Sequence, residues 1–337
     1  MAHGITDTDT LAFTGSRKKI WHRIGNEIPE GLTAVEAMKR ENLDWTTTLA
    51  PVFAKVGETE LELPEHRAHV RDDTQTALGL VSKDYKKVEN LQLAELADSI
   101  VEGEDKDKPK VSTVASLLGG KRVFVFLELS KVITVVPGDE LRNFLSVSGG
   151  HGGFAGVNVN LTNIRGVCNN TLTLSEQDMS RGIRFHHTGK MEDKLKQAKL
   201  VLGFASRAVD EFEQQVKLLA NTDMSVGQVR DFMELAFTST FGKAPSKEEK
   251  DALAKWTAKR DEMTEGWMER MENERQTIPG IQGTAWAALN AYTEWSDHDR
   301  GGKWMSSRAA DQRVHSNLFG ASDYSKRKVF KTALALL

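Results

Sequence analysis

The sequence predicts an α+β fold: an antiparallel β-meander packed by a long basic amphipathic helix, with an irregular N-terminal arm and a helical C-terminal region. Three observations carry this expectation. Residues 111–161 hold β-rich runs broken by Gly119-Gly120, Pro137-Gly138 and Gly149-Gly150-His151-Gly152-Gly153, which are turn signals. Residues 192–221 place Leu195, Ala198, Leu202, Ala205, Val209, Phe212, Val216 and Leu219 at alternating spacings of three and four, a single apolar stripe along about eight helical turns. From Met224 onward the pattern stays helical to the end.

Taken in order, residues 1–75 read as the arm, since Pro29, Pro51 and Pro64 interrupt longer order and leave room for only a short helix at 33–39. An α+β core at 76–223 follows, the candidate nucleic-acid-binding part. It opens with a strand at 77–82 and a helix at 91–101, whose apolar residues fall at 93, 96, 97 and 100. The charged stretch 102–110 (EGEDKDKPK) is a solvated loop. Strands are then expected at 111–117, 122–129, 132–136, 143–148 and 155–161, with Phe124 and Phe126 on one face as core residues. The loop 149–153 is rich in glycine, but no Gly-Lys-Ser/Thr and no helix follow it. It reads as a mobile hairpin tip rather than a phosphate loop, with His151 and Phe154 placed to touch a ligand. The helical region 224–337 predicts helices at 226–237, 246–275, 284–297 and 325–337, in which Trp256, Trp267, Trp286, Trp295 and Trp304 are packing anchors.

At 337 residues and 39% hydrophobic, the chain can bury a substantial core. The single cysteine, Cys168, excludes an internal disulfide framework and a multi-cysteine zinc site, which suits a reducing compartment. Met1 to Thr14 has neither a basic start nor an apolar run, and no window approaches the roughly 20 apolar residues that span a bilayer, so the cytoplasm is expected. Net charge is only -3, from 45 basic and 48 acidic side chains. Any polyanion must therefore meet a local patch.

One such patch stands out. Between 181 and 207, Arg181, Arg184, Lys190, Lys194, Lys196, Lys199 and Arg207 face only Glu192 and Asp193, leaving +5. Phosphates are the common partner of such clusters, although a solvated helix face has the same composition. Just upstream, Arg165 has the fork geometry for a phosphate and Asn169 the amide for a base edge or phosphate; Asn169 and Asn170 equally suit a strand end. Ser325-Lys326-Arg327-Lys328 with Lys331 forms a second basic cap, at a helix start.

Chemistry is harder to find. Glu192-x-Lys194 with Asp178 has the residue types of a metal-dependent nuclease, but the pair opens a helix instead of lying on a core strand. His66 and His69 lack companions for zinc, and no serine elbow, kinase set or dinucleotide fingerprint occurs. Neither catalytic residues nor a metal or other cofactor is expected.

Several separated motifs share a pattern: Trp21-His22-Arg23-Ile24-Gly25, Leu118-Gly119-Gly120-Lys121-Arg122-Val123-Phe124, His151-Gly152-Gly153, residues 163–172 (NIRGVCNNTL), Arg184-Phe185-His186-His187-Thr188-Gly189 and residues 290–298 (NAYTEWSDH). Together they resemble the phage/plasmid-like protein family, a domain-of-unknown-function family of bacterial mobile elements. At the level of fold, a β-meander followed by a long basic helix is also similar to the core of single-strand annealing recombination proteins. That likeness implies a homo-oligomeric ring holding single-stranded DNA in a basic groove, with Arg165, Arg181, Arg184, Lys190, Lys194 and Lys196 on the backbone. Asn169 and Lys199 complete the nucleic-acid-binding set expected here. The implied role is non-catalytic annealing in DNA recombination and repair, in the cytoplasm of a bacterial host, with a phage or host recombination partner on the C-terminal helices. Two alternatives remain open: a metal-dependent nuclease, and a phage protein that binds a host factor through its tryptophan-rich helices.

Overall fold

The computed structural model describes residues 10–14, 25–102, 108–166, 171–174, 191–299 and 310–337, with backbone alone at 172–174, 191–199, 299 and 310–314. The chain begins with β1 (Thr10–Thr14), β2 (Asn26–Ile28) and α1 (Ala34–Arg40). Thr33 caps α1: its hydroxyl accepts from the Glu36 amide while the Glu36 carboxylate accepts from the Thr33 amide. The next elements are β3 (Thr47–Val56), β4 (Thr59–Arg71), β5 (Thr76–Ser82) and α2 (Asn90–Glu102). From α2, Asp98 accepts the Ala34 and Val35 amides at 2.6 and 3.1 Å and so ties α1 to the core.

Here the structure corrects the sequence reading. The first 75 residues are not an irregular arm: β1 and β2 join the main sheet, and β3-β4-β5 form a separate antiparallel sheet. Both prolines are accommodated at irregular positions. The register of β3 on β4 shifts between Pro51 and Phe53, and Pro64 lies between the paired positions Glu62 and Arg67, where a missing N–H removes no ladder bond.

The predicted meander follows as β6 (Lys110–Leu117), a 3₁₀ turn (Leu118–Gly120), β7 (Arg122–Val136), β8 (Asp139–Gly150), β9 (Asn158–Arg165) and β10 (Thr171–Leu174). β7 fuses the two runs expected at 122–129 and 132–136, with a register shift between Glu128 and Val132. The complete sheet has seven strands in the order β10-β9-β8-β7-β6-β1-β2, antiparallel except for the β1–β2 pair.

Strand alternation gives this sheet two different faces. On one, Val114, Val123, Val125, Leu127, Leu145, Val147 and Leu161 enter the main core. That core also takes Leu93, Ala97 and Ile100 of α2 and Val201, Val209, Phe212 and Val216 of α3 (Met191–Ala220), the long helix predicted at 192–221. On the other face, Leu11, Phe13, Ala115, Phe124, Phe126, Phe144 and Ile164 make a second apolar cluster.

The remaining helices are α4 (Val226–Phe241), α5 (Lys250–Met271), α6 (Ala285–Glu294), which runs into a π turn (Trp295–Asp299), α7 (Ala310–Phe319) and α8 (Ala321–Ala335). α7 contributes Leu318 to the second cluster. Trp267, Trp286 and Trp295 are buried anchors as expected, and Trp256 packs partly buried against the same core. Trp304 lies outside the described residues. Among those residues no helix is long and apolar enough to cross a membrane.

The basic cap predicted at 325–331 is broken up by burial. Lys326 is fully enclosed, and its ammonium donates to Asp297 Oδ1 and Thr171 Oγ1, both at 2.6 Å, and to the Asn317 carbonyl at 3.1 Å. Arg327 pairs with Asp323.

Candidate nucleic-acid interface

The basic segment sits at the junction between β10 and α3. Asn169, Arg181, Arg184 and Lys190 lie outside the described residues. Lys194, Lys196 and Lys199 fall on the first three turns of α3, with side chains that are likewise outside the description. Glu192 stands in the first turn of the same helix, so the Glu-x-Lys pair opens a helix, as read from the sequence.

Arg165 is described in full, and it is not on the surface. It ends β9 on the side that faces the main core, where Asp139, just after the Pro137-Gly138 turn, receives its fork through Nε to Oδ1 at 2.6 Å and Nη2 to Oδ2 at 2.7 Å. Nη1 donates to Gln276 Oε1 at 2.8 Å, Nη2 also donates to the Arg275 carbonyl, and Trp286 Nε1 donates to Asp139 Oδ2 at 2.9 Å. The guanidinium expected to grip a phosphate is therefore occupied by the protein itself. Its job is to fasten β9 to the turn between α5 and α6.

A different arginine has the opposite character. Arg122 opens β7 on the same side as Phe124 and Phe126, at the edge of the second cluster. It is only 7% exposed, yet no carboxylate meets it among the described residues, and its Nε has no hydrogen-bond partner. Its guanidinium carbon lies 5.4 Å from the ring centre of Phe154 and 4.8 Å from that of Phe319. Burial pulls its pKa down to about 10, the direction expected when a cation is desolvated without a counter-charge. Sequence reading missed it because arginine at a strand start is ordinarily solvated. The signal was the alternation Arg122-x-Phe124-x-Phe126, which puts the cation on an aromatic face.

The surroundings of Arg122 suit a ligand. Phe154 is 42% exposed and also packs on His315, with ring centres 5.2 Å apart, so one edge of the site is an accessible aromatic ring. Pairings Phe124↔Ser148 and Phe126↔Ser146 bring two serines to the same face, and both buried hydroxyls lack partners. A cation and an open ring thus meet at one end of the sheet, with the spare serine hydroxyls further along the same face.

The glycine loop beside this site is clamped rather than mobile, contrary to the sequence expectation. Gly152 has φ +65°, and a Cβ there would come within 2.5 Å of the Leu78 carbonyl oxygen, so the loop lies directly on β5. Its amide donates to His69 Nδ1 at 2.8 Å, and the Gly153 amide meets the Tyr85 hydroxyl. His151 points inward instead of toward a ligand: its Nε2 donates to Asn90 Oδ1 at 2.8 Å, and its ring lies 5.1 Å from Trp45 and 5.3 Å from His69. Those contacts set the tautomers, leaving His151 Nδ1 and His69 Nε2 buried without partners. Burial, then the positive neighbours His69, Arg71 and Lys87, push the His151 pKa down to about 3. His69 is lowered too, by burial first. Among the described residues no group of three or more His, Cys, Asp or Glu could hold a metal ion.

Fold and site define a class: an α+β protein with a sequential meander, a long covering helix and an arginine that lies against aromatic rings with no carboxylate among the described residues. The chain belongs to the family described as Domain of unknown function (DUF932), whose match runs from residue 77 to residue 318. The match takes in the meander, α3, Arg122 and Phe154. No curated protein and no solved structure matches the chain.

Proposed function

We propose that the protein binds single-stranded DNA and promotes annealing of complementary strands, acting without covalent chemistry in phage- or plasmid-borne recombination and repair. The observation that carries this reading is Arg122: a buried guanidinium that meets no carboxylate among the described residues and lies against Phe154 and Phe319. A phosphate supplies the missing counter-charge, and a base stacks on the open Phe154 ring, an interaction worth roughly 1–3 kcal/mol per base. The +5 segment at residues 181–207 offers further cations for the backbone phosphates. Bases held by one face and one charge stay available for pairing, which is what annealing requires. Assembly into a homo-oligomeric ring would line up many such sites along one strand.

The test follows duplex formation between labelled complementary oligonucleotides with and without the purified protein. Annealing should accelerate, single-strand affinity should fall as salt rises, and Arg122→Met and Phe154→Ala should each weaken binding. Salt-insensitive or absent single-strand binding overturns the function. Normal binding by both variants moves the site elsewhere.

A further inference from the structure

The three-stranded sheet carries a ribbon that the other described residues leave uncovered. β5 pairs with β4 only from His66 onward, so among the described residues Thr59–Glu62 of β4 have β3 on one side and no strand on the other. Cross-strand pairing Ala54↔Leu61 puts Val56 and Leu61 on one face, while Phe53↔Glu62 and Lys55↔Glu60 form the other. Val56 is 62% and Leu61 50% exposed, and Phe53 and Leu63 are exposed as well. A two-stranded ribbon alone is marginally stable in water, and clustered large apolar side chains at a surface mark a contact. Charge defines the contact further. Glu58, Glu60, Glu62 and Glu65 against Lys55 leave -3 on the ribbon, so its complement is apolar and basic.

The same chain displays such a surface. Leu200, Phe204 and Arg207 follow one another at four and three residues along the outer side of α3, opposite the buried stripe Val201, Ala205, Val209 and Phe212. Leu200 is 58% exposed, and the Arg207 guanidinium lies over the Phe204 ring at 4.9 Å. This face ends the +5 segment.

We infer that the ribbon of one copy seats on the Leu200–Phe204–Arg207 face of α3 in the next copy. Ribbon and helix face are different surfaces, so a contact made one way leaves one of each free and propagates head-to-tail to a ring or filament. The inference rests on the self-assembly part of the proposed function and is independent of strand binding.

Two variants test it, each confined to exposed side chains: Val56→Glu with Leu61→Glu on the ribbon, and Leu200→Glu with Phe204→Glu on the helix. Circular dichroism verifies that both fold, and light scattering after size exclusion reads the mass. The unaltered chain should assemble beyond a dimer, and each variant alone should be monomeric. An equimolar mixture should give a heterodimer and nothing larger, because one intact ribbon then meets one intact helix face. If the unaltered chain assembles but either variant matches it, or the mixture stays monomeric, the interface is wrong while self-assembly stands. A monomeric unaltered chain overturns both, and the annealing assay still reads strand binding separately. A ribbon variant that assembles normally but loses single-stranded DNA reassigns the ribbon to DNA and overturns the interface.

Discussion

Replacing Arg122 with methionine separates what the site costs the fold from what it gives a ligand. Lowering the pKa to about 10 corresponds to roughly 3 kcal/mol against the charged form, at about 1.36 kcal/mol per unit. The two phenylalanine rings return about 1 kcal/mol of cation–π attraction. Methionine keeps a long flexible side chain in the gap and carries no charge to desolvate. Arg122→Met should therefore raise the unfolding free energy by about 1–3 kcal/mol. Binding should move the other way. Losing a charge-assisted phosphate contact of about 1.5–3 kcal/mol weakens single-strand affinity by about 10- to 150-fold, and the slope of log K against log salt should shrink by about 0.7. Urea melts give the first quantity, and anisotropy of a labelled oligonucleotide at several salt concentrations gives the second. A destabilised variant with unaltered binding refutes the reasoning, because it would mean that Arg122 serves the fold.

The histidine clamp predicts a pH dependence. His151 is neutral in the folded state down to about pH 3 but takes a proton near pH 6.5 when unfolded, so it leaves stability unaffected above 6.5 and removes it as pH falls, by about 2 kcal/mol at pH 5. His151→Asn should flatten the difference between urea melts at pH 7 and pH 5; equal slopes in both proteins would show that His151 titrates freely. Asp139→Ala strands a buried guanidinium and should lower stability by about 3–5 kcal/mol, with Arg165→Ala similarly damaging. A well-folded Arg165→Ala protein with weakened DNA binding would return Arg165 to the interface. Gly152→Ala combines a left-handed backbone with a contact on the Leu78 carbonyl and should cost about 2–5 kcal/mol by thermal melt, where a neutral result would mean the loop lifts easily from β5.

Much of the fold was legible because its periods are long and uninterrupted. The stripe from Leu195 to Leu219 has one explanation, and the glycine pairs punctuate the meander where it turns. β3 and β4 were hidden by Pro51 and Pro64, whose effect depends on register, a non-local property. The alternation Glu60-Leu61-Glu62-Leu63 is a strand period, but it is short and Pro64 ends it, so it did not stand out. The site was harder still. Arg165 and Lys326 were assigned to the surface by residue type, but the acids that accept them, Asp139 and Asp297, lie 26 and 29 residues away and meet them only through the tertiary fold.

This contrast is the strongest reason to look at Arg122. The protein buries several charges, and most are met by opposite charge: Arg165 by Asp139, Lys326 by Asp297, and Glu294 by Arg270 and Arg275 with Gln276 donating to its other oxygen. These pairs join strand ends to the π turn and the C-terminal helices, across the segments 163–172 and 290–298 that the sequence marks out. Buried ions left uncompensated are destabilising, and a chain that supplies carboxylates to its other enclosed cations could have supplied one here. Instead the space around Arg122 is filled by two aromatic rings, one of them open to solvent. Such an arrangement makes sense when the counter-charge arrives with a ligand, so under the proposed function the site's energetic deficit is also what binds the strand. Single-stranded nucleic acid, which brings a phosphate and a planar base together, meets both requirements at once.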